Sequence, residues 1–466
     1  MITRTLRPAG GLLLLSLAAI PASAQTGKFD LEKTKTVLTG MIRQAIDERG
    51  VPSISIALVR GDSIVWKAAF GYANVRMKVP ATTETIYSTG STFKSATATA
   101  IMQLVEQGKL SLDHPVNRYL GESRVQDRLQ AEKPVTFTHI LSHWSGLTAG
   151  AVTKPIWGRE LPKSLDEMVS QLYSVRPPET KWEYNNFAYG MAGLLVEKIS
   201  GVEYEKYMVD NILAPLGITI KTPVRPSPEM VEMMALPYLP QPGGKPIPVE
   251  QVHFDVYPAG DVYLTAEDMA RFLAMHLNGG VFRGKRILSE ASVKQMQEPR
   301  FGGNYGFGFG IRKAPNGHTL ISHSGGIPGQ SSMMMGDVDS KVGVYFMSNS
   351  GAPPAIAEAA IKLLNGEDYT PPAPPKPVTV DNKTLDRYVG RYTVDGQTIT
   401  LKREGNNLVM PAPDGGPSMT LLPESETRFF IRGQDLKITF VSGPDGKVTK
   451  MVVDTGSGTM EAVRQN

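Results

Sequence analysis

A proline-rich segment divides this chain into two unequal parts. Residues 369–377 hold five prolines in nine positions. Proline fixes φ and lacks a backbone N–H, so such a run favours an extended, semi-rigid spacer over a helix or a sheet. We therefore predict a linker over 369–381, a long domain before it, and a short domain of about 85 residues after it.

Composition excludes several classes of protein. Of the 466 residues, 41% are hydrophobic and 20% are charged, which is typical of a globular chain. A formal net charge of +4, without a run of Lys or Arg, does not favour a nucleic-acid partner. The absence of cysteine excludes disulfides, thiolate nucleophiles and cysteine-ligated zinc. No motif in the chain implies a cofactor or a metal.

The first residues predict export. A positively charged start precedes the apolar run Leu12–Ile20, and small residues follow it up to Ala24. This pattern indicates a signal peptide over 1–24 and a periplasmic or secreted protein that begins at Gln25. The apolar run is too short to span a bilayer, and we predict no transmembrane segment in the mature chain.

Hydrophobic periodicity predicts the elements of the long domain, 25–368. They are a helix ending near Gly50, strands over 53–59 and 63–69, a helix from Ser91 to Gly108, a helix-rich middle over 115–277, a strand over 342–348 and a helix over 355–364. In the short domain, 382–466, brief strands alternate with glycine turns, and Asp445-Gly446 is a strong hairpin signal. That pattern predicts a small antiparallel sheet or barrel.

The first chemical motif is Ser91-Thr-Phe-Lys94. On a helix, residues three apart project from neighbouring positions on one face. Burial lowers the pKa of a lysine, and a neutral Lys94 could remove the proton of the Ser91 hydroxyl. The alternative is a serine cap with an exposed lysine one turn later.

The second motif is Tyr184-Asn-Asn186, which precedes a predicted helix. It is therefore expected on a loop, where catalytic groups are common. A phenol beside a lysine cation ionises more easily, so we expect Tyr184 to relay protons. The alternative is a buried core tyrosine and an asparagine cap.

The third motif is His323-Ser-Gly-Gly326, which we predict to follow a strand that ends at Ser322. The two glycines would leave that edge open for a substrate that lies alongside as an added strand. His139 and His143 also have zinc-helix spacing, but no metalloprotease glutamate accompanies them, and we predict structural roles for both.

The three motifs, in this order, resemble those of the penicillin-recognising serine hydrolases, which include class C β-lactamases, DD-carboxypeptidases, D-aminopeptidases and esterases. The resemblance extends from about Phe29 to about Gly366 and includes 140–147, 258–266 and 305–310. It implies an α/β (α+β) fold with an antiparallel sheet flanked by helices, a helical subdomain, and an active site between them. The short domain is similar to the lipocalin-like appendage of some members.

The resemblance also implies roles for individual residues. Ser91 is the expected nucleophile, Lys94 its base and Tyr184 an acid–base group, while Asn186 holds a substrate amide. His323, Ser324, Gly325 and Gly326 form the substrate edge, and the N–H groups of Gly326 and Ser91 form the oxyanion hole.

The substrate stays open among a β-lactam, a D-amino-acid peptide and an ester. Class C β-lactamases carry lysine where this chain has His323, and imidazole attracts a carboxylate only partly at neutral pH. This departure favours a peptidase, an aminopeptidase or an esterase. A penicillin-binding sensor that acylates without turnover is the alternative from another class. We expect the short domain to cap the cleft or to mediate self-association; the sequence does not indicate an oligomeric state.

Overall fold

The computed structural model describes residues 28–148, 156–157, 164–241, 245–373, 375–394, 397–411, 418–432, 436–454 and 459–465. The predicted signal peptide lies outside the described residues. No helix in the described part of the chain is both long enough and apolar enough to cross a membrane.

The described residues before the proline-rich segment form fifteen strands, many of them only two residues long. They are β1 (Ser53–Arg60), β2 (Ser63–Asn74), β3 (Val79–Pro80), β4 (Tyr87–Ser88), β5 (Ile156–Trp157), β6 (Tyr238–Leu239), β7 (Ile247–Pro248), β8 (Val252–His253), β9 (Tyr263–Leu264), β10 (Val281–Phe282), β11 (Lys285–Arg286), β12 (Gly310–Lys313), β13 (Thr319–Ile327), β14 (Gln330–Asp337) and β15 (Val342–Ser348). Seven of these form one antiparallel sheet in the order β12-β13-β14-β15-β1-β2-β3.

Helices surround this sheet and form a second region beside it. In the large domain they are α1 (Leu31–Arg49), α2 (Lys94–Glu106), α3 (Asn117–Leu120), α4 (Phe137–Ser142), α5 (Leu165–Val169), α6 (Asn186–Ser200), α7 (Tyr204–Met208), α8 (Pro228–Met233), α9 (Ala266–Leu277), α10 (Glu290–Met296) and α11 (Ala355–Leu364).

The middle of the sheet is buried on both faces. Along β1, Ile54, Ile56 and Leu58 pack with α1 and α11, whereas Ala57 and Val59 pack with α9 on the other face. Alternation of side chains along a strand explains this division. Because both faces are covered, every residue of β1 before Arg60 is buried, including the small polar residues Ser53 and Ser55.

Helix α2 lies buried between the sheet and the helical region. Most of its residues are small, and those from Lys94 to Met102 are all buried. It packs against α6, and α6 in turn lies close to the segment that contains Pro258: a Cβ on Gly193 would lie 2.3 Å from Pro258 Cγ. The first turn of α2 is thereby held deep in the domain, where water is excluded.

A closed eight-stranded barrel follows the proline-rich segment. Tyr388 fills its interior by stacking on Phe440, with ring centroids 4.0 Å apart. Val380 belongs to the same core, which is separate from those of the large domain. Its elements are α12 (Asn382–Tyr388), β16 (Gly390–Val394), β17 (Gln397–Glu404), β18 (Asn407–Met410), β19 (Met419–Pro423), β20 (Arg428–Ile431), β21 (Lys437–Ser442), β22 (Val448–Asp454) and β23 (Thr459–Arg464).

The predicted fold class is confirmed, as is the small barrel. One local prediction is wrong: the strand predicted to end at Ser322 is β13, which continues to Ile327. Its pairing with β14 runs through Gly326, opposite Ser331, and this pairing keeps the third motif extended. The open edge arises on the other side, because β12 pairs with β13 only as far as Ser322.

Candidate active site

Ser91 lies in a short 3₁₀ turn, Gly90–Phe93, immediately before α2. Backbone presses on this turn from two directions. A Cβ on Gly260 would lie 2.3 Å from Gly90 C, and a Cβ on Gly325 would lie 2.3 Å from Thr89 O. Real Cβ contacts are not this short, so only glycine fits at either position. The turn is thereby fixed against the 3₁₀ segment Tyr257–Ala259 and against β13.

Lys94 is completely buried below Ser91. Its Nζ lies 3.0 Å from Ser91 Oγ and 2.7 Å from the carbonyl oxygen of Ala259. Burial holds the pKa of Lys94 well below that of an ordinary lysine. A neutral amine that donates to Ala259 keeps a lone pair for the Ser91 proton, so the pair has the geometry of a nucleophile and its base.

Tyr184 lies beside this pair, just before α6. Its hydroxyl is within hydrogen-bonding reach of Ser91, and its ring centroid is 4.9 Å from Lys94 Nζ. The expectation that Lys94 makes this phenol ionise more easily is wrong. Burial raises the pKa of Tyr184, and the hydrogen bond to Ser91 lowers it only in part. Tyr184 is therefore a neutral hydroxyl at pH 7, able to donate one proton and accept another.

The two asparagines of the second motif have different positions. Asn185 is the cap of α6: it is buried, and its side chain accepts a hydrogen bond from the Ala188 N–H at 3.0 Å. Asn186 is exposed and lines the cleft in front of Ser91. The capping alternative therefore holds for Asn185, and Asn186 is the residue placed to meet a ligand.

His323 is buried and turned away from the cleft. Its Nδ1 lies 2.6 Å from the carbonyl oxygen of Ser324, so it must carry the proton, and Nε2 accepts from the Tyr305 hydroxyl at 2.8 Å. Burial, with a smaller effect of nearby Lys94, lowers the pKa of His323 to about 3. The expectation that His323 is partly charged at neutral pH is wrong, and it supplies no cation for a carboxylate.

The rest of the third motif borders the nucleophile. Gly325 packs on the Ser91 turn, Ser324 is exposed, and a Cβ on Gly326 would meet open space. The N–H groups of Gly326 and Ser91 thus belong to backbone segments in direct contact. Two such donors on neighbouring segments are what a developing oxyanion requires.

A small cleft of about 80 Å³ lies in front of Ser91. Ser91, Asn186 and Gly326, from the three motifs, all line it, and Phe254, Val256 and Ile327 supply apolar wall. A larger cavity of about 620 Å³ lies elsewhere, around His139 and Arg300, and contains no predicted site residue. We place the site at the smaller cleft because the reactive groups converge there. Within the described residues, no three His, Asp or Glu side chains are grouped so as to hold a metal ion.

Four residues of this site were not predicted from the sequence as site residues: His143, Gly260, Asp261 and Tyr305. His143 was given only a structural role, yet its ring centroid is 4.4 Å from that of Tyr184. Asp261 is buried at the cleft wall and accepts hydrogen bonds from the Phe254 N–H and the Tyr263 hydroxyl. The segments 140–147, 258–266 and 305–310 signalled the region of each residue, but not which residue reaches the cleft.

This fold and this site belong to a known family of serine hydrolases. The Beta-lactamase family matches residues 38–365, well over half of the chain, so the protein is a member of it. Residues 374–463 match a second family, described as a domain of unknown function (DUF3471).

Individual relatives agree with this membership. The chain is 28% identical over 444 residues to penicillin-binding protein 4* of Bacillus subtilis (strain 168), covering 88% of this chain and 94% of that protein. The octameric penicillin-binding protein homologue from Pyrococcus abyssi aligns with a TM-score of 0.62 at 26% identity, over 93% of this chain and 100% of that one. The D-amino acid amidase from Ochrobactrum anthropi SV3 aligns with a TM-score of 0.58 at 25% identity, over 72% of this chain and 97% of that one.

Proposed function

We propose that this protein hydrolyses an amide or ester bond through an acyl-enzyme on Ser91. The observation that carries the proposal is the contact between Ser91 Oγ and the buried Lys94 amine, 3.0 Å apart. A serine beside an exposed, charged lysine would lack a base, whereas this lysine is buried and its pKa is lowered.

The proposed reaction has two halves. Ser91 Oγ attacks the substrate carbonyl while Lys94 takes its proton, and the N–H groups of Gly326 and Ser91 stabilise the oxyanion. Tyr184 passes a proton to the leaving amine or alcohol as its bond to carbon breaks. Water then attacks the acyl-enzyme and gives its proton to the same Lys94–Tyr184 pair. The pair returns this proton to Ser91 Oγ as the bond between Oγ and the acyl carbon breaks and the acid is released.

The charge in the cleft favours a substrate that carries a free amino group over a substrate whose carboxylate must bind a cation of the protein. His323 is neutral and bonded to Tyr305, so it does not attract a carboxylate. Of the described residues that line the cleft, Asp261 alone has an ionisable side chain. The Asp261 carboxylate, which also lies 3.3 Å from His253 Nδ1, attracts an ammonium group at the cleft wall. We therefore infer a D-amino-acid peptide or amide as substrate, in keeping with the similarity to the D-amino acid amidase.

The other candidates are a β-lactam, a carboxylic ester, and a penicillin-binding module that acylates without turnover. The similarity to penicillin-binding protein 4* is the observation that favours the last. We also propose the domain division at 369–381, export with cleavage after Ala24, and a periplasmic or secreted location, from the sequence patterns given above.

The test is the intact mass of the purified protein after incubation with a penicillin, with free drug followed in parallel. A lasting adduct that is absent in Ser91→Ala indicates a penicillin-binding protein, and drug loss without an adduct indicates a β-lactamase. With neither, D- and L-phenylalanine amide are compared by ammonia release. Hydrolysis that equals that of Ser91→Ala for the penicillin, both amides and p-nitrophenyl acetate, with no adduct, would overturn the proposal.

A further inference from the structure

His143 occupies a backbone position that is uncommon for residues other than glycine. It follows α4 with φ 67°, in the left-handed region, and its N–H closes the helix on His139 O. Helices commonly end this way on glycine or asparagine, because a larger side chain is strained there. A histidine at this position therefore needs support from the contacts of its side chain.

The hydrogen bonds of His143 and its closest ring contact converge on Tyr184 and the residues on either side of it. Nδ1 of His143 accepts a hydrogen bond from the Asn185 N–H at 3.1 Å, and the His143 carbonyl oxygen accepts one from the Glu183 N–H at 2.9 Å. The two bonds flank Tyr184 in the sequence. The imidazole then covers the phenol ring itself, with centroids 4.4 Å apart. Backbone and ring of Tyr184 are thus both fixed by one residue.

The imidazole of His143 is neutral, and aromatic rings pack around it. It is 1% exposed, and the rings of Tyr305 and Tyr189 lie 4.8 and 5.3 Å from it. Burial holds the pKa of His143 well below its usual range. Since Nδ1 accepts from Asn185, the proton is on Nε2, which has no hydrogen-bond partner among the described residues. This uncompensated buried donor is a further cost of placing histidine here.

We propose that His143 is a positioning residue that holds the Tyr184 hydroxyl against Ser91 and Lys94. It acts on the reaction only through Tyr184. This inference rests on the proposed function, in which Tyr184 transfers protons during both half-reactions. A displacement of about 1 Å at such a group can reduce turnover by about 10²-fold.

The experiment is a double-mutant cycle with p-nitrophenyl acetate as substrate. His143→Asn keeps an acceptor at the position of Nδ1 and suits the left-handed backbone, but it removes the ring. We expect kcat to fall about 10- to 100-fold with KM changed less than about threefold. In the Tyr184→Phe background, which keeps the ring and removes the hydroxyl, the same change should lower kcat by no more than about threefold.

His139→Asn is the matched control, one turn earlier on α4. His139 is also buried, but it bonds Thr136 and Glu179 rather than the second motif. It should lower the melting temperature and leave kcat unchanged. His143→Phe, which keeps a ring but removes the acceptor, gives a second measurement if His143→Asn does not fold; its loss of kcat should likewise disappear in Tyr184→Phe.

Two results would overturn the inference: an equal loss of kcat in both backgrounds, which indicates a general structural role, or no loss in the wild-type background. Equal rates for wild type and Ser91→Ala would instead contradict the proposed function, and the inference with it.

Discussion

The Tyr305 hydroxyl donates a hydrogen bond to Nε2 of His323, 2.8 Å away, from a position behind the cleft. Both side chains are buried, so neither is available to a ligand at the surface of the site. The bond also fixes which nitrogen is protonated, since Nδ1 donates to Ser324 O. His323 is therefore part of the packing beneath the third motif.

The dependence of the free energy of unfolding on pH, below neutral pH, should reveal the burial of His323. The pKa of His323 is about 3 in the folded protein and about 6.5 in an unfolded chain, so the unfolded state binds more protons between these values. Stability therefore falls as the pH falls below about 6.5, by about 1.4 kcal/mol per pH unit for such a group. His323→Gln should reduce that slope in urea unfolding at pH 4 to 6, and an unchanged slope would contradict this expectation.

His318→Gln should have the opposite pH dependence. It should lose stability mainly at acid pH, because Asp337 raises the pKa of His318.

Lys94→Met should separate stability from activity. Met lacks a base, so turnover should fall by about 10²- to 10⁴-fold. The variant should nevertheless be more stable than the wild type at pH 7, because folding forces Lys94 to lose a proton that the unfolded chain keeps. The stability of the wild type rises as the pH rises above 7. The difference in stability between Lys94→Met and the wild type should therefore narrow towards about pH 10.4, the pKa of an unfolded lysine. Thermal unfolding from pH 6 to 10 tests this. Lys94→Arg keeps its charge at every pH, so it should be less stable than the wild type and Lys94→Met throughout. A difference in stability between Lys94→Met and the wild type that does not change with pH would contradict the argument.

Gly260→Ala should displace the nucleophile. The new Cβ would overlap Gly90 C and O at 2.3 Å, and backbone atoms cannot give way as a flexible side chain can. We expect about a 10²-fold loss of kcat/KM and a loss of about 1–3 kcal/mol in the free energy of unfolding. Gly40→Ala, in exposed helix and with no atom near its Cβ, is the matched control and should leave turnover unchanged. Full activity in Gly260→Ala would show that the close contact between Gly260 and the Ser91 turn is not needed for catalysis.

Asp261→Asn should change substrate preference rather than overall activity. The measurement is the ratio of kcat/KM for D-phenylalanine p-nitroanilide to that of its N-acetyl derivative, which has no ammonium group. We expect the wild type to favour the free amine and the variant to lose about tenfold of that preference, equivalent to about 1.4 kcal/mol. Because the ratio compares two substrates on one enzyme, a folding defect cancels. A ratio that is the same in both proteins would rule out Asp261 as the source of selection.

A chain truncated after Pro377 should fold on its own because, among the described residues, the barrel core shares no buried side chain with the large domain. We expect either faster turnover of large substrates relative to small ones, if the barrel caps the cleft, or a smaller mass in solution, if it mediates self-association. Light scattering and kinetics on one small and one large amide measure both. Unchanged values in both would contradict the two roles together.

Much of the fold was accessible from the sequence because local and overall signals agree there. The strand 342–348 and the helix 355–364 were predicted with the bounds that the structure has. Strands β16, β19 and β23, and helix α12, were not predicted. They are short, and β16 and β23 each have a single buried residue, so the formation of these strands depends on pairing within the closed barrel.

The site was accessible only in part. Ser91, Lys94 and Tyr184 were predicted from the three motifs together and from the family that they resemble, and the structure brings these residues together. The neutral state of Tyr184 and His323 was not, because it depends on burial by residues distant in the sequence. His143 likewise lies beside Tyr184 although the two residues are 41 positions apart in the sequence, and the hydrophobic periodicity does not indicate this contact.

The two glycine backbones that close on the Ser91 turn have a consequence for how this protein can evolve. The nucleophile is located by main-chain atoms of the segments around Gly260 and Gly325, which do not change when neighbouring side chains do. Substitutions at Phe254, Val256 or Ile327 can therefore alter the shape of the cleft while the reactive serine stays in place. Such an arrangement lets new specificities arise by single steps without the loss of the existing chemistry.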